Sequence, residues 1–388
     1  MTAQNSHIVA EQPGFAGLLS RACVPADAGI GALVEALGPK PLAHLFLFVS
    51  PEADFHALIA EARKAFPDTT LTACTTAGEI GPAGYTENTI VALGLPRAHF
   101  ATRTILAEPL QALDIAAVAD AVVRARMALV EDAPQFATTF AFVMIDGLSL
   151  REDSLLAALA PSLGAMPIFG GSAGDGRTFA QTLVAHDDAI HTDAGVLTLI
   201  ATDARAHVFS LDHMTPTETR MVVTDADPEA RIVRRINGAP AAAEYARIVN
   251  RDPGQLDSFT FAAHPVVVRM GERHHVRSIQ RVTPDGALIF FSAIDEGMVL
   301  SVATSEPIAA HLDRELASLA MGDQMPDIIA CDCILRRIEA EEHQQSRSVS
   351  DVLARYGATG FSTYGEQIGR MHINHTMTGV ALYPPEPR

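Results

Sequence analysis

Residues 360–369 read GFSTYGEQIG, and two earlier stretches end in the same way, CTTAGEIG at 74–81 and FGGSAGDG at 169–176. In each, a short apolar run stops at a glycine followed by an acid: Gly78–Glu79, Gly174–Asp175 and Gly365–Glu366. Upstream of the first, LFLFVS (45–50) has the composition of a strand, and ADFHALIAEARKAF (53–66) carries apolar residues at helical spacing. NTIVALGL (88–95) follows as a further strand. The middle of the chain repeats the plan with TFAFVMIDG (139–147), REDSLLAALAPSLG (151–164) and AGVLTLIAT (194–202). The last copy has DIIACDCI (327–334), a polar helix from about Arg336, and TMTGVALYP (376–384).

Spacing supports three copies of one unit. Ser50 precedes Glu79 by 29 positions, and Asp146 precedes Asp175 by 29. An offset of 287 superposes Thr76 on Thr363, Gly78 on Gly365, Glu79 on Glu366 and Thr89 on Thr376. A strand–helix–strand step closes into a parallel pair by a right-handed crossover, and the next strand is near enough for a hairpin. The expected fold is therefore α/β (α+β), with repeated β-α-β-β units forming mixed sheets flanked by helices. The Gly-acid step falls where a strand ends, so its carboxylate either caps backbone amides at the turn or faces a ligand crevice beyond the strand. Between the second and third units, residues 219–249 read as strand, turn, strand, NG turn and helix, and 264–303 as consecutive hairpins with turns at GER and PDG. A domain boundary is expected within 205–240.

The chain has 388 residues, 48% hydrophobic and 19% charged, which describes a globular protein rather than a disordered one. Its 28 basic and 46 acidic residues leave a net charge of −18, a field that repels nucleic acid. No run approaches the roughly 20 apolar residues that span a bilayer, and the N-terminus shows no secretory pattern. Four cysteines make no disulfide framework, so a cytoplasmic location with reduced thiols is expected.

No nucleophile elbow, Walker loop, strand-linked GxGxxG or HExxH helix occurs, and the expectation is a protein without catalytic activity. FGGSAGDG lacks the Lys-Ser/Thr of a phosphate cradle. Cys331 and Cys333 share a strand face, as two buried small side chains or as part of a zinc or nucleophilic site. Arg336 and Arg337 follow at the start of a helix, where the dipole disfavours cations, so they should meet a carboxylate, with Glu366 a candidate, or an anion. His372 and Asn374 share one strand face and His375 points to the other.

The set IDGLS, FGGSAGDG, RRINGAPAAAEYA, ACDCILRR, GFSTYGEQ and HINHTMTGVAL resembles the FIST-domain family over about residues 40–240 and 240–383. The resemblance implies a two-domain FIST architecture, placed here as an N-terminal extension at 1–38, a FIST N-type domain at 39–220 and a FIST C-type domain at 221–388. CDCILRR with TYGEQ and RSIQ is similar to a nitric-oxide-sensing subgroup, often called NosP, that binds haem b non-covalently. That similarity implies a sensor of nitric oxide acting on a partner histidine kinase or a diguanylate cyclase or phosphodiesterase of cyclic-di-GMP, with a homodimer left open. Haem iron takes histidine, thiolate, tyrosinate or thioether in an apolar pocket. The axial candidates, in order, are His213, His264, His372 and Tyr364. The pocket candidates are Glu366, Gly365, Arg336, Asp175 and Glu79. The competing reading is a FIST-type module for a small metabolite such as an amino acid, its ammonium group on Glu79, Asp175 or Glu366 and its carboxylate on Arg336.

Overall fold

The computed structural model describes residues 16–270, 273–322 and 324–385. The first repeat contains β1 (Ser20–Pro25), α1 (Gly29–Leu37), β2 (Leu42–Val49), α2 (Phe55–Ala65) and β3 (Thr70–Thr75). It continues with the hairpin β4 (Glu79–Gly81) and β5 (Gly84–Thr86), then β6 (Thr89–Pro96) and β7 (Phe100–Ala107). The second repeat follows α3 (Ile115–Asp132) with β8 (Thr138–Ile145), α4 (Glu152–Leu163), β9 (Ile168–Ser172), the hairpin β10 (Val184–His186) and β11 (Ala189–His191), β12 (Gly195–Thr202) and β13 (Arg205–Leu211). An inserted region holds β14 (Met214–Asp227), β15 (Ile232–Ile236), β16 (Ala239–Pro240), α5 (Ala241–Ile248), α6 (Ser258–Ala263), β17 (Val266–Met270), β18 (Arg273–Arg277), β19 (Ile279–Val282), β20 (Leu288–Phe290) and β21 (Val299–Ser305). After α7 (Ile308–Ser318), the third repeat runs β22 (Asp327–Cys333), α8 (Ile334–Glu342), α9 (Ser346–Arg355), β23 (Ala358–Thr363), the hairpin β24 (Glu366–Ile368) and β25 (Met371–Ile373), and β26 (Met377–Tyr383).

The α/β class and the mixed sheets flanked by helices are as the sequence implies. Each repeat pairs its first two long strands in parallel, β2 with β3, β8 with β9 and β22 with β23, and sets its later strand antiparallel beside them. β1 and α1, from the stretch read as an extension, belong to the first sheet and its cover.

The Gly-acid strand departs from the expected course. Glu79 and Glu366 do not continue β3 and β23 but each open a hairpin in another sheet, whereas Asp175 lies in the loop between β9 and the hairpin that starts at Val184. The hairpin β4–β5 pairs with β23, β10–β11 with β3, and β24–β25 with β9. Repeat one thus feeds repeat three, two feeds one and three feeds two, which closes a ring. Gly78 makes the first departure possible: its φ is +123°, and a Cβ there would overlap Arg337 Nη1.

Layering explains why the long strands read as unbroken apolar runs. In β2, Leu45, Leu47 and Val49 face α1 and α2, while Phe46 and Phe48 face inward. The inward faces of all three sheets share one aromatic core: Phe48 stacks on Phe361 with centroids 4.6 Å apart, and Phe46 and Phe169 meet Phe142 at 5.1 and 4.9 Å. Each such ring, fully buried, contributes about 1.5–3 kcal/mol. α2 shows the local logic of the covering helices. Asp54 caps it by accepting from Ala57 N at 3.0 Å, and Phe55, Leu58, Ile59 and Ala62 form its buried stripe.

The inserted region has its own core around Tyr245, Phe261, Phe290 and Leu300. It carries the expected strand, turn and NG-turn order, although residues 271–272 of the GER turn lie outside the described residues. It is tied to the second repeat by a buried ion pair, Arg231 to Glu152 at 2.6 Å.

Candidate functional site

The three strand tips meet one another. Gly174 N and Gly176 N donate to Thr75 O and Thr76 O, each at 3.0 Å. Ala77 N donates to Ser362 O at 2.9 Å, and Ser362 N returns to Gly78 O at 2.7 Å. Ser172 N donates to Gly365 O at 2.8 Å, and Tyr364 N returns to Ser172 O at 3.2 Å. Gly174 has no room for a side chain, since a Cβ would press on Ala77 and Tyr364.

Two of the three acids are clamped alike. Glu79 accepts from Thr76 Oγ1, from Thr89 Oγ1 at 2.8 Å and from Thr89 N at 3.3 Å. Glu366 accepts from Thr363 Oγ1, from Thr376 Oγ1 at 2.7 Å and from Thr376 N at 3.3 Å. The four identities at the 287-residue offset are these two clamps. Burial raises both carboxyls, and with Asp332 nearby it holds Glu366 at about 8 against the pull of its threonines. Asp175 is satisfied differently: its oxygens accept from Phe179 N, Ala180 N and Gln181 N at 2.7–2.8 Å, and Tyr364 donates its hydroxyl to the same carboxylate.

Beyond the tips of β2 and β3 lies a cleft of about 680 Å³, bounded by the first turn of α2, the Glu87–Asn88 turn and the loop after Asp175. It sits at the carboxyl ends of parallel strands, the usual ligand position in such sheets. Glu79 and Asp175 reach its wall, together with Glu52, Glu87, His56 and Arg177. An acidic recess with one cation at its edge suits a ligand that carries an amine and a carboxylate. Glu366, Gly365 and Arg336 do not line it. The first is enclosed by its threonines, and the second packs under His372 and Asn374.

Arg336 meets Asp332 rather than Glu366. Its Nε donates to Asp332 Oδ1 at 2.7 Å, and Tyr85 from the exchanged hairpin donates to the other oxygen. Arg337 donates to Thr86 O at 3.2 Å, pairs with Glu87 at 2.9 Å and lies over the Tyr85 ring. The two arginines of CDCILRR therefore pin the β4–β5 hairpin to the third repeat, and the buried Asp332 offsets the unfavourable helix dipole.

The axial candidates all have partners in the fold. His213 is buried with both ring nitrogens engaged: Arg336 Nη1 donates to Nδ1 at 2.8 Å, and Nε2 donates to Glu339 at 2.9 Å. A guanidinium has no acceptor, so the ring proton is fixed on Nε2. Burial lowers this ring to about 4, and Arg336 adds to that against the pull of Glu339. His264, half-buried at the end of α6, faces Arg251 at 3.3 Å. His372 accepts from Gln367 Nε2 at 3.1 Å and turns Nε2 to Phe291 O at 3.3 Å. Burial pushes the Tyr364 phenol up, away from tyrosinate. As packed, each of the four is held by its present partners, which a haem would have to displace, while His372 and Tyr364 both pack against Phe291.

His213, Glu339 and His375 have the donor types of a divalent-metal triad, with ligand atoms within 4.8 Å of one another. A metal-bound imidazole turns its second N–H to an acceptor. Here His213 Nδ1 meets an arginine N–H, and His375 Nδ1 has no hydrogen-bond partner among the described residues. The cluster is a hydrogen-bonded relay from Asp332 through Arg336 and His213 to Glu339 and His375. Burial pushes the Cys331 and Cys333 thiols well up, so they are core side chains rather than thiolates.

His56, Arg177 and Glu52 in the cleft and Glu339 in the relay carry no motif in the sequence. The clamping threonines do: an acid three residues after one threonine and ten before another occurs twice.

The FIST N domain family model matches residues 43–239, and the FIST C domain model matches residues 241–369. No curated protein matches the chain.

Proposed function

The chain belongs to the FIST family, and from that premise we propose that it reads a small metabolite bearing an amine and a carboxylate, such as an amino acid, in the cleft beyond β2 and β3. FIST domains are sensory modules of signal transduction. The observation that carries the choice of ligand is the wall of Glu79, Asp175, Glu52 and Glu87 faced by Arg177. The ammonium group sits among the carboxylates and the carboxylate on Arg177. Output passes to a partner signalling enzyme, a histidine kinase or an enzyme of cyclic-di-GMP turnover. A ligand that binds only the folded protein at a hundred times its Kd raises stability by about 2.7 kcal/mol. A thermal-shift screen of the amino acids and related amines should therefore find a saturable rise, and a flat response across the set at millimolar concentration would remove this reading.

The similarity of CDCILRR, TYGEQ and RSIQ to the nitric-oxide-sensing subgroup favours a second proposal, haem b as the sensing group. The burial of His213 and His372 away from water supports it, and release of one ring from its present partners is its requirement. Reconstitution with haem should then give a stoichiometric Soret band that moves with nitric oxide. Free haem alone in the spectrum would exclude it.

A further inference from the structure

Among the described residues, ten large apolar side chains are exposed, and four of them, Ile115, Val123, Met127 and Val130, lie on α3. The inner face of this helix is spent on the second repeat, where Val118, Val122 and Leu129 are buried. The outer face presents Val123, Met127 and Val130 at spacings of four and three, the seam of a two-helix contact. Beside the seam runs a groove of about 450 Å³, lined by Val123, Met127, Val130, Thr139 and Met166 together with the charged Arg126 and Glu131. Isolated exposed apolar residues are ordinary, but a continuous stripe along a groove marks an interaction surface.

The charges flanking this stripe indicate what covers it. Arg124 and Glu131 are both exposed, and no ion pair among the described residues engages either. They are seven positions apart, so they occupy the same flank of the seam, about 10 Å from each other along the axis. Their midpoint falls between Met127 and Ala128. In an antiparallel helix pair related by a two-fold axis, one flank meets the same flank of the other helix. A second copy of α3 centred on that midpoint sets Arg124 of each chain against Glu131 of the other, twice by symmetry. A partner of one sign would satisfy only one of the two residues. The chain's net charge of −18 opposes self-association at long range, so a contact between copies needs local complementarity of this kind.

We propose that the face of α3 bearing Val123, Met127 and Val130 is a homodimer surface, closed by reciprocal Arg124–Glu131 pairs across an antiparallel helix contact. The surface is small, so the association is reversible and depends on concentration. It is independent of what the cleft binds.

Sedimentation of the full chain from about 1 to about 200 µM tests the proposal. The wild type should shift from monomer to dimer over that range. Arg124→Glu places two acids against two and should weaken the dimer by about tenfold. The double variant Arg124→Glu/Glu131→Arg recreates both pairs in reverse and should return to within about threefold of wild type. Met127→Asp, at a position 60% exposed and therefore tolerant of the change, should leave a folded monomer by circular dichroism. A wild type that stays monomeric, a dimer that survives Met127→Asp, or a double variant no better than Arg124→Glu alone overturns the assignment.

Discussion

Replacing Glu366 by glutamine should change how stability depends on pH. Glu366 is fully buried, and burial first, with Asp332 nearby, holds its carboxyl at about 8 instead of 4.5. A carboxyl raised in the fold is protonated there while the unfolded chain has already released its proton. The stability it contributes is therefore complete below about pH 4.5, declines as pH rises and is gone above about pH 8. The difference amounts to roughly 4–5 kcal/mol. At about 2 cal/mol/K of unfolding entropy per residue, that is about 5 °C in Tm for a chain of this length. The ionised carboxylate accepts from both Thr363 Oγ1 and Thr376, and on protonation the oxygen facing Thr363 becomes a hydroxyl that donates to Oγ1 while the other still accepts from Thr376. Glutamine reproduces both contacts without titrating. Other groups also titrate in this window, His213 among them, so the quantity to read is the wild-type Tm minus the variant Tm. Calorimetry at pH 5, 6, 7 and 8 should show the two proteins close at pH 5 and the variant ahead by about 5 °C at pH 8. Parallel profiles would contradict this, because they would mean that the Glu366 carboxyl is no weaker an acid in the fold than in the unfolded chain.

Gly78→Ala forces a Cβ onto Arg337 at a φ of +123° and should cost about 2–3 kcal/mol in urea denaturation. Arg336→Met strands the buried Asp332 and should cost about 3–5 kcal/mol, of which Asp332→Asn in the same chain should recover part. Asp175→Ala leaves three loop amides without their acceptor and the Tyr364 hydroxyl with Gly176 O alone, so a loss of about 2–4 kcal/mol should accompany loss of cleft binding in the thermal-shift assay.

The repeat was legible because its signals are local. The strand–helix–strand periodicity, the 29-residue spacing and the 287-residue offset all survive in one chain without tertiary information. The exchange of hairpins was not, because a three-residue strand such as Glu79–Gly81 has no pattern that says which sheet it joins. That choice is made by Gly78 and by Arg337 and Tyr85 meeting from positions about 250 residues apart. Asp332 was within reach as the residue four before Arg336. The partners of His213 lie on α8 and beyond β25, and nothing in its neighbourhood of sequence points to them. Glu79 and Asp175 were visible at strand ends, whereas His56 and Arg177 reach the same cleft from stretches that read as an ordinary helix start and loop.

The function proposed for the cleft depends on where a ligand enters. Calorimetric titration of the amino acids that raise the melting temperature, into the wild type and into Arg177→Gln, measures this. Arg177 is half-exposed and partnered by Glu341 at the surface, so the variant keeps its fold. The expected result is one-site binding to the wild type and an affinity at least tenfold lower in the variant. Equal affinity in both proteins, or no heat with any of them, would contradict the assignment of the cleft.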